Sequence, residues 1–145
     1  MGVARTFDAV GKVLYCQGSM DASLLHHQQA LAILRVMTKD NNNKDNSSRS
    51  RSLMATTLSN MAQVYTHKEE WGAAIGVYSE LLKEQKAHFL SAQGSFKSVD
   101  EPAKALHETL LSAAYCYQRL EANDEANHCL HEANHLAQEC GLKDF

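Results

Sequence analysis

The chain is 145 residues long, 44% hydrophobic and 21% charged, with a formal net charge of −3. That length suits one domain with a working core, and the nearly balanced charge offers no clustered basic face to nucleic acid. No apolar run reaches the twenty or so residues that a membrane-spanning helix needs.

Six helices are predicted. The first spans 3–17. The opening Met1-Gly2-Val3-Ala4-Arg5-Thr6 fits a pattern for acylation on glycine, but Phe7 belongs to the first repeat described below, and these residues read more simply as the entry to that helix. The second spans 20–38, with Asp21 placing negative charge where a helix N-terminus favours it. From Thr38 to Ser52 no residue is apolar. Such a segment buries nothing that offsets the cost of ordering it, so a mobile loop is expected over 38–52. Its Arg-Ser alternation is a sequence that kinases modify, although serine-rich loops are common. The third helix spans 53–68. Glu69-Glu70 then mark the start of the fourth, 71–92. A short connection, Ser91 to Val99, carries Gly94 and Phe96. The fifth helix, 100–120, holds the sole proline, Pro102, at its first turn, which tolerates one. The sixth, 123–140, starts with Asp124-Glu125, and Gly141 is its expected stop.

The helices repeat a pattern. It reads Phe7-x2-Val10-Gly11-x2-Leu14, then Met20-x2-Ser23-x3-His27-x2-Ala30. It returns as Leu58-x2-Met61-Ala62-x2-Tyr65, then Trp71-x2-Ala74-x3-Tyr78-x2-Leu81, and as Leu110-x2-Ala113-Ala114-x2-Tyr117, then Ala126-x3-Leu130-x2-Ala133. Small residues (Gly11, Ala62, Ala114; Ser23, Ala74, Ala126) let paired helices approach closely, and a ring or leucine (Leu14, Tyr65, Tyr117) fills the gap opposite. This pattern resembles the tetratricopeptide repeat superfamily. The resemblance covers nearly the whole chain outside the connections and is weakest at Ser23 and His27. The period departs from the family: Phe7 to Leu58 is 51 residues and Leu58 to Leu110 is 52, against about 34 for a standard repeat. The run Thr57-Leu58-Ser59-Asn60-Met61-Ala62-Gln63-Val64-Tyr65 also resembles the longer kinesin-light-chain type.

The resemblance implies an all-α fold: a right-handed α-solenoid of three helical hairpins in a single domain, with repeat 1 over 3–38, repeat 2 over 53–92 and repeat 3 over 100–140. It implies a protein or peptide partner held in a concave groove lined by the first helices. Position by position, that groove comprises Arg5, Asp8 and Lys12, then Ser59, Asn60 and Gln63, then Glu108, Ser112, Tyr115 and Arg119. The two-carboxylate clamp of the chaperone-binding branch has its positions here at Asp8, Lys12, Asn60, Glu108 and Ser112. Only Asn60 matches, and Asp8 and Glu108 would repel an acidic C-terminal tail. The rival expectation is a structural scaffold, or a piece of a longer array, acting through its end faces. Its apolar N-terminal face would then self-associate.

Catalytic signatures are sparse. No glycine-rich phosphate loop, nucleophile elbow, metalloprotease helix or paired-cysteine motif appears, so no enzyme activity and no cofactor are expected. Cys16, Cys116, Cys129 and Cys140 fit no metal-finger spacing and read as free thiols of an intracellular, cytoplasmic protein. The weak metal candidate is His128, His131 and His135, three imidazoles on one face of the last helix. A polar outer face is the simpler account of them. His27 reads as a packed histidine. Trp71, Tyr65, Tyr78 and Tyr117 are assigned to packing, whereas Tyr115 lies on another face of its helix and is available to a ligand.

Overall fold

A computed structural model describes residues 2–39, 44–95 and 98–141. These residues form six helices and no strand: α1 (Gly2–Cys16), α2 (Met20–Lys39), α3 (Lys44–His67), α4 (Trp71–Gln93), α5 (Asp100–Arg119) and α6 (Asn123–Cys140). The all-α expectation holds, and the boundaries match within a residue or so except at the start of α3.

That helix begins at Lys44, so residues 44–52 of the segment expected as a loop are helical. The reason is visible at Ser50, which is fully buried and lies one turn before Met54 on the stripe continued by Thr57, Leu58 and Met61. Ser50 thus extends the buried face of α3 without adding an apolar residue. Part of the same expected loop, 40–43, lies outside the described residues.

The chain divides into two compact units, Met1–Glu70 and Trp71–Phe145. In the first, α2 packs against both α1 and α3, while α1 and α3 meet only slightly. One such meeting is the edge-on contact of Tyr15 with His67, with ring centroids 5.7 Å apart. In the second unit α5 packs against both α4 and α6. Its core joins Phe89 of α4, Leu106, Leu110, Ala113 and Ala114 of α5, and Cys129, Ala133 and Leu136 of α6.

The internal repeat has a backbone counterpart. α1, α3 and α5 all end in the same turn, with a left-handed residue at Gly18 (φ 82°), Glu69 (φ 59°) and Glu121 (φ 59°). In each, the next amide reaches back five residues: Ser19 N–H to the Leu14 carbonyl at 2.9 Å, Glu70 to Tyr65 at 2.9 Å, and Ala122 to Tyr117 at 2.9 Å. A second bond, reaching back three residues, accompanies each, from Gly18 to Tyr15, Glu69 to Thr66 and Glu121 to Gln118. This double closure satisfies carbonyls that a helix end otherwise leaves open. The turns recur at the spacing of the sequence pattern, and the accepting residues Leu14, Tyr65 and Tyr117 are its equivalent positions. All six small residues of the pattern are buried. Gly141, at φ 63°, closes α6 by donating to the Ala137 carbonyl, as expected.

Candidate functional site

Of the ten groove residues drawn from the resemblance, Asp8 is misplaced. It is buried on α1 and engaged on both oxygens. His27 Nδ1 of α2 lies 2.8 Å from Oδ1, and the Thr57 hydroxyl of α3 donates to Oδ2 at 2.5 Å. The carboxylate therefore joins three helices and has no free oxygen to offer a ligand. Burying it is tolerated because both oxygens are hydrogen-bonded.

Gly11 makes this arrangement possible. A Cβ on Gly11 would lie 2.7 Å from the His27 imidazole, so only glycine admits the ring at that depth. The Ser23 hydroxyl adds a bond to the Gly11 carbonyl at 2.6 Å. The packed histidine expected at position 27 is thus correct. A Thr, His and Asp in one cluster superficially suggests a nucleophile and its base. Here, however, the threonine donates to the aspartate rather than to the histidine, and it is fully buried. The group holds the helices together.

The other groove residues lie on helix surfaces. Arg5 and Lys12 are exposed on α1, and Ser59 and Gln63 are exposed on α3. Asn60 is half-buried, and its amide nitrogen is buried without a hydrogen-bond partner. On α5, Glu108, Tyr115 and Arg119 are exposed and Ser112 is half-buried.

Two of these residues converge. Tyr115 meets the Trp71 indole edge-on, with ring centroids 5.6 Å apart and planes at 80°. The Arg119 guanidinium stands over the same indole, 5.4 Å from its centroid. Both geometries are favourable, one through the ring quadrupoles and the other through the attraction of a cation to a π face. Trp71 is only half-buried, although the repeat template assigns it to the core, and Tyr115 remains 49% exposed. Leu111, one turn before Tyr115 on α5, is also an exposed apolar residue. Sequence reasoning identified Tyr115 and Arg119 but missed their meeting with Trp71, because the angle between α4 and α5 is not written in either helix.

On α6 the histidines lie on the outer face. His128 and His135 are exposed; His128 pairs with Glu132 at 2.7 Å, and Glu132 also receives Lys86 at 3.1 Å. His131 and His135, with Asn134 and Gln138, border a shallow surface depression. Among the described residues, no three histidine, cysteine, aspartate or glutamate side chains converge as a metal site.

Burial shifts two kinds of group in the second unit. The His107 imidazole is held below its ordinary range by desolvation, with Glu108 opposing. The thiols of Cys129 and Cys140 are pushed up, first by desolvation and then by nearby carboxylates. That direction favours the protonated, unreactive thiol. No family model matches the chain, and no curated protein is similar to it at a significant level.

Proposed function

We propose that this chain is a non-enzymatic protein–protein interaction module, without a cofactor. In this reading its tetratricopeptide-like hairpins stack as a right-handed solenoid, and a peptide or protein partner is held along the outer face of α5. The observation that carries the reading is the surface cluster of Trp71, Tyr115 and Arg119. Tryptophan, tyrosine and arginine are the residues enriched at the energetic centres of protein interfaces. Here they are pre-ordered against one another, so little side-chain entropy remains to be lost on binding. The thrice-repeated turn supports the helical-repeat part of the proposal.

No helix among the described residues is long and apolar enough to cross a membrane, and a cytoplasmic setting belongs to this proposal. The test is capture of partners from the native cell extract by wild type, Tyr115→Ala and Arg119→Ala, each checked by thermal melt. The reading expects a partner that both substitutions release while the melts stay unchanged. Partners retained by both variants would contradict it.

One observation favours a second reading, a scaffold that self-associates. Val3, Val10 and Val13 of α1 are exposed, with Phe7 and Leu14 half-buried beside them. An apolar helix stripe of this kind suits contact with another helix. Sedimentation across a concentration series separates the two readings: a concentration-independent monomer favours partner binding, and a growing oligomer favours the scaffold.

A further inference from the structure

The outer face of α5 carries an ordered set of groups. Glu108, Ser112, Tyr115 and Arg119 follow at i, i+4, i+7 and i+11, so they form one stripe along the helix. Leu111 borders it and Trp71 leans against its middle. The stripe is therefore apolar and aromatic at its centre, with an anion at one end and a cation at the other. Neither end is neutralised: among the described residues no carboxylate pairs with Arg119 and no cation pairs with Glu108. The guanidinium carbon stands 5.4 Å from the indole centroid, and a guanidinium can pair with a carboxylate through two parallel N–H bonds. Lys104 lies one turn beyond Glu108, away from the aromatic pair, so a chain leaving the centre of the stripe meets Glu108 first.

From this arrangement we infer that the partner is a short extended peptide segment of bipolar charge. A carboxylate side chain pairs with Arg119, a basic side chain pairs with Glu108, and apolar side chains between them rest on Leu111, Tyr115 and Trp71. The length follows from helix geometry. Eleven residues at 1.5 Å per residue separate the two charges by about 16 Å along the axis. An extended chain advancing about 3.3 Å per residue covers that distance in about five residues. This inference rests on the proposed function and adds to it the sign, order and spacing of the partner's charges. A uniformly acidic or basic partner would satisfy one end and be repelled at the other.

The test is selection of a displayed library of random linear twelve-residue peptides against the whole chain. Wild type should enrich peptides with one acidic and one basic residue about five positions apart and apolar residues between them. Arg119→Glu, which makes both ends acidic, should enrich peptides with two basic residues at that spacing. Glu108→Lys, which makes both ends basic, should enrich two acidic residues instead. Both side chains are exposed, and the wild-type selection needs no variant at all. Peptides that lose binding in Trp71→Ala yet show no charge pair, or an unchanged one in the swapped variants, would overturn the inference and leave the proposed function standing. Failure to find any peptide whose binding depends on Trp71 would overturn both.

Discussion

His27 lies directly against Gly11: the imidazole of α2 occupies the space in which any side chain at position 11 would begin, 2.7 Å from where a Cβ would stand. The ring can reach the Asp8 carboxylate one turn away because that space is empty. Gly11→Ala should therefore push the ring off its partner and cost roughly 1–3 kcal/mol, the usual range for overpacking. In a His27→Ala background the same substitution should cost much less. A double-mutant cycle read by urea denaturation checks the coupling; simple additivity would show that the two positions do not interact.

The bond from Thr57 to Asp8 ties α3 to α1 across 49 residues of sequence. Thr57→Val keeps the shape and removes the donor. A hydrogen bond to a charged group contributes about 1.5–3 kcal/mol, and the denaturation midpoint should fall accordingly. Asp8→Ala should cost more, since it leaves both His27 and Thr57 without their acceptor. Stability unchanged in Thr57→Val would show that this bond adds nothing to the joining of α1 and α3.

How much of this is legible in the sequence depends on the kind of signal that carries it. Helix periodicity, Asp21, Asp124-Glu125 and Gly141 located helix ends because caps and stripes are local features. The small-residue positions were legible because the pattern recurs. Asp8 was not, since a lone charge reads as surface and its partners lie 19 and 49 residues away. The start of α3 is not legible, because its buried face there is carried by Ser50, which is not apolar. Trp71 was assigned to the core by the template, while its contact with Tyr115 depends on how α4 meets α5.

The repeated turn makes a prediction about backbone strain. Glu69 and Glu121 hold the left-handed conformation that Gly18 adopts without penalty. Glu121→Gly and Glu69→Gly should each raise stability, by roughly 0.5–1 kcal/mol after the extra flexibility of unfolded glycine is deducted. Gly18→Ala should lower it by about 1 kcal/mol. Thermal melts of the three variants decide the matter; a loss in both glutamate variants would show that the side chains contribute more than the strain costs.

Burial of His107 predicts a pH dependence. Its folded-state pKa lies below the unfolded value of 6.5, chiefly through desolvation. Below that pH the unfolded chain binds a proton that the folded chain resists, so stability falls as the solution is acidified from about 6.5 toward the lower folded pKa. His107→Phe removes the titration and should flatten that part of the profile relative to wild type. Denaturation midpoints at a series of pH values between 5 and 8 provide the check, and parallel profiles would show that His107 contributes nothing to the slope.

A partner that settles on the cluster around Trp71 covers the only tryptophan in the chain. Its fluorescence is therefore a direct reporter of that surface. A captured partner, prepared as a tryptophan-free fragment, is titrated against the whole chain while indole emission is followed and binding is measured independently by calorimetry. A saturable blue shift is expected as the half-buried ring loses water, with the midpoint that calorimetry gives. Calorimetric binding with the emission of Trp71 unchanged would contradict it.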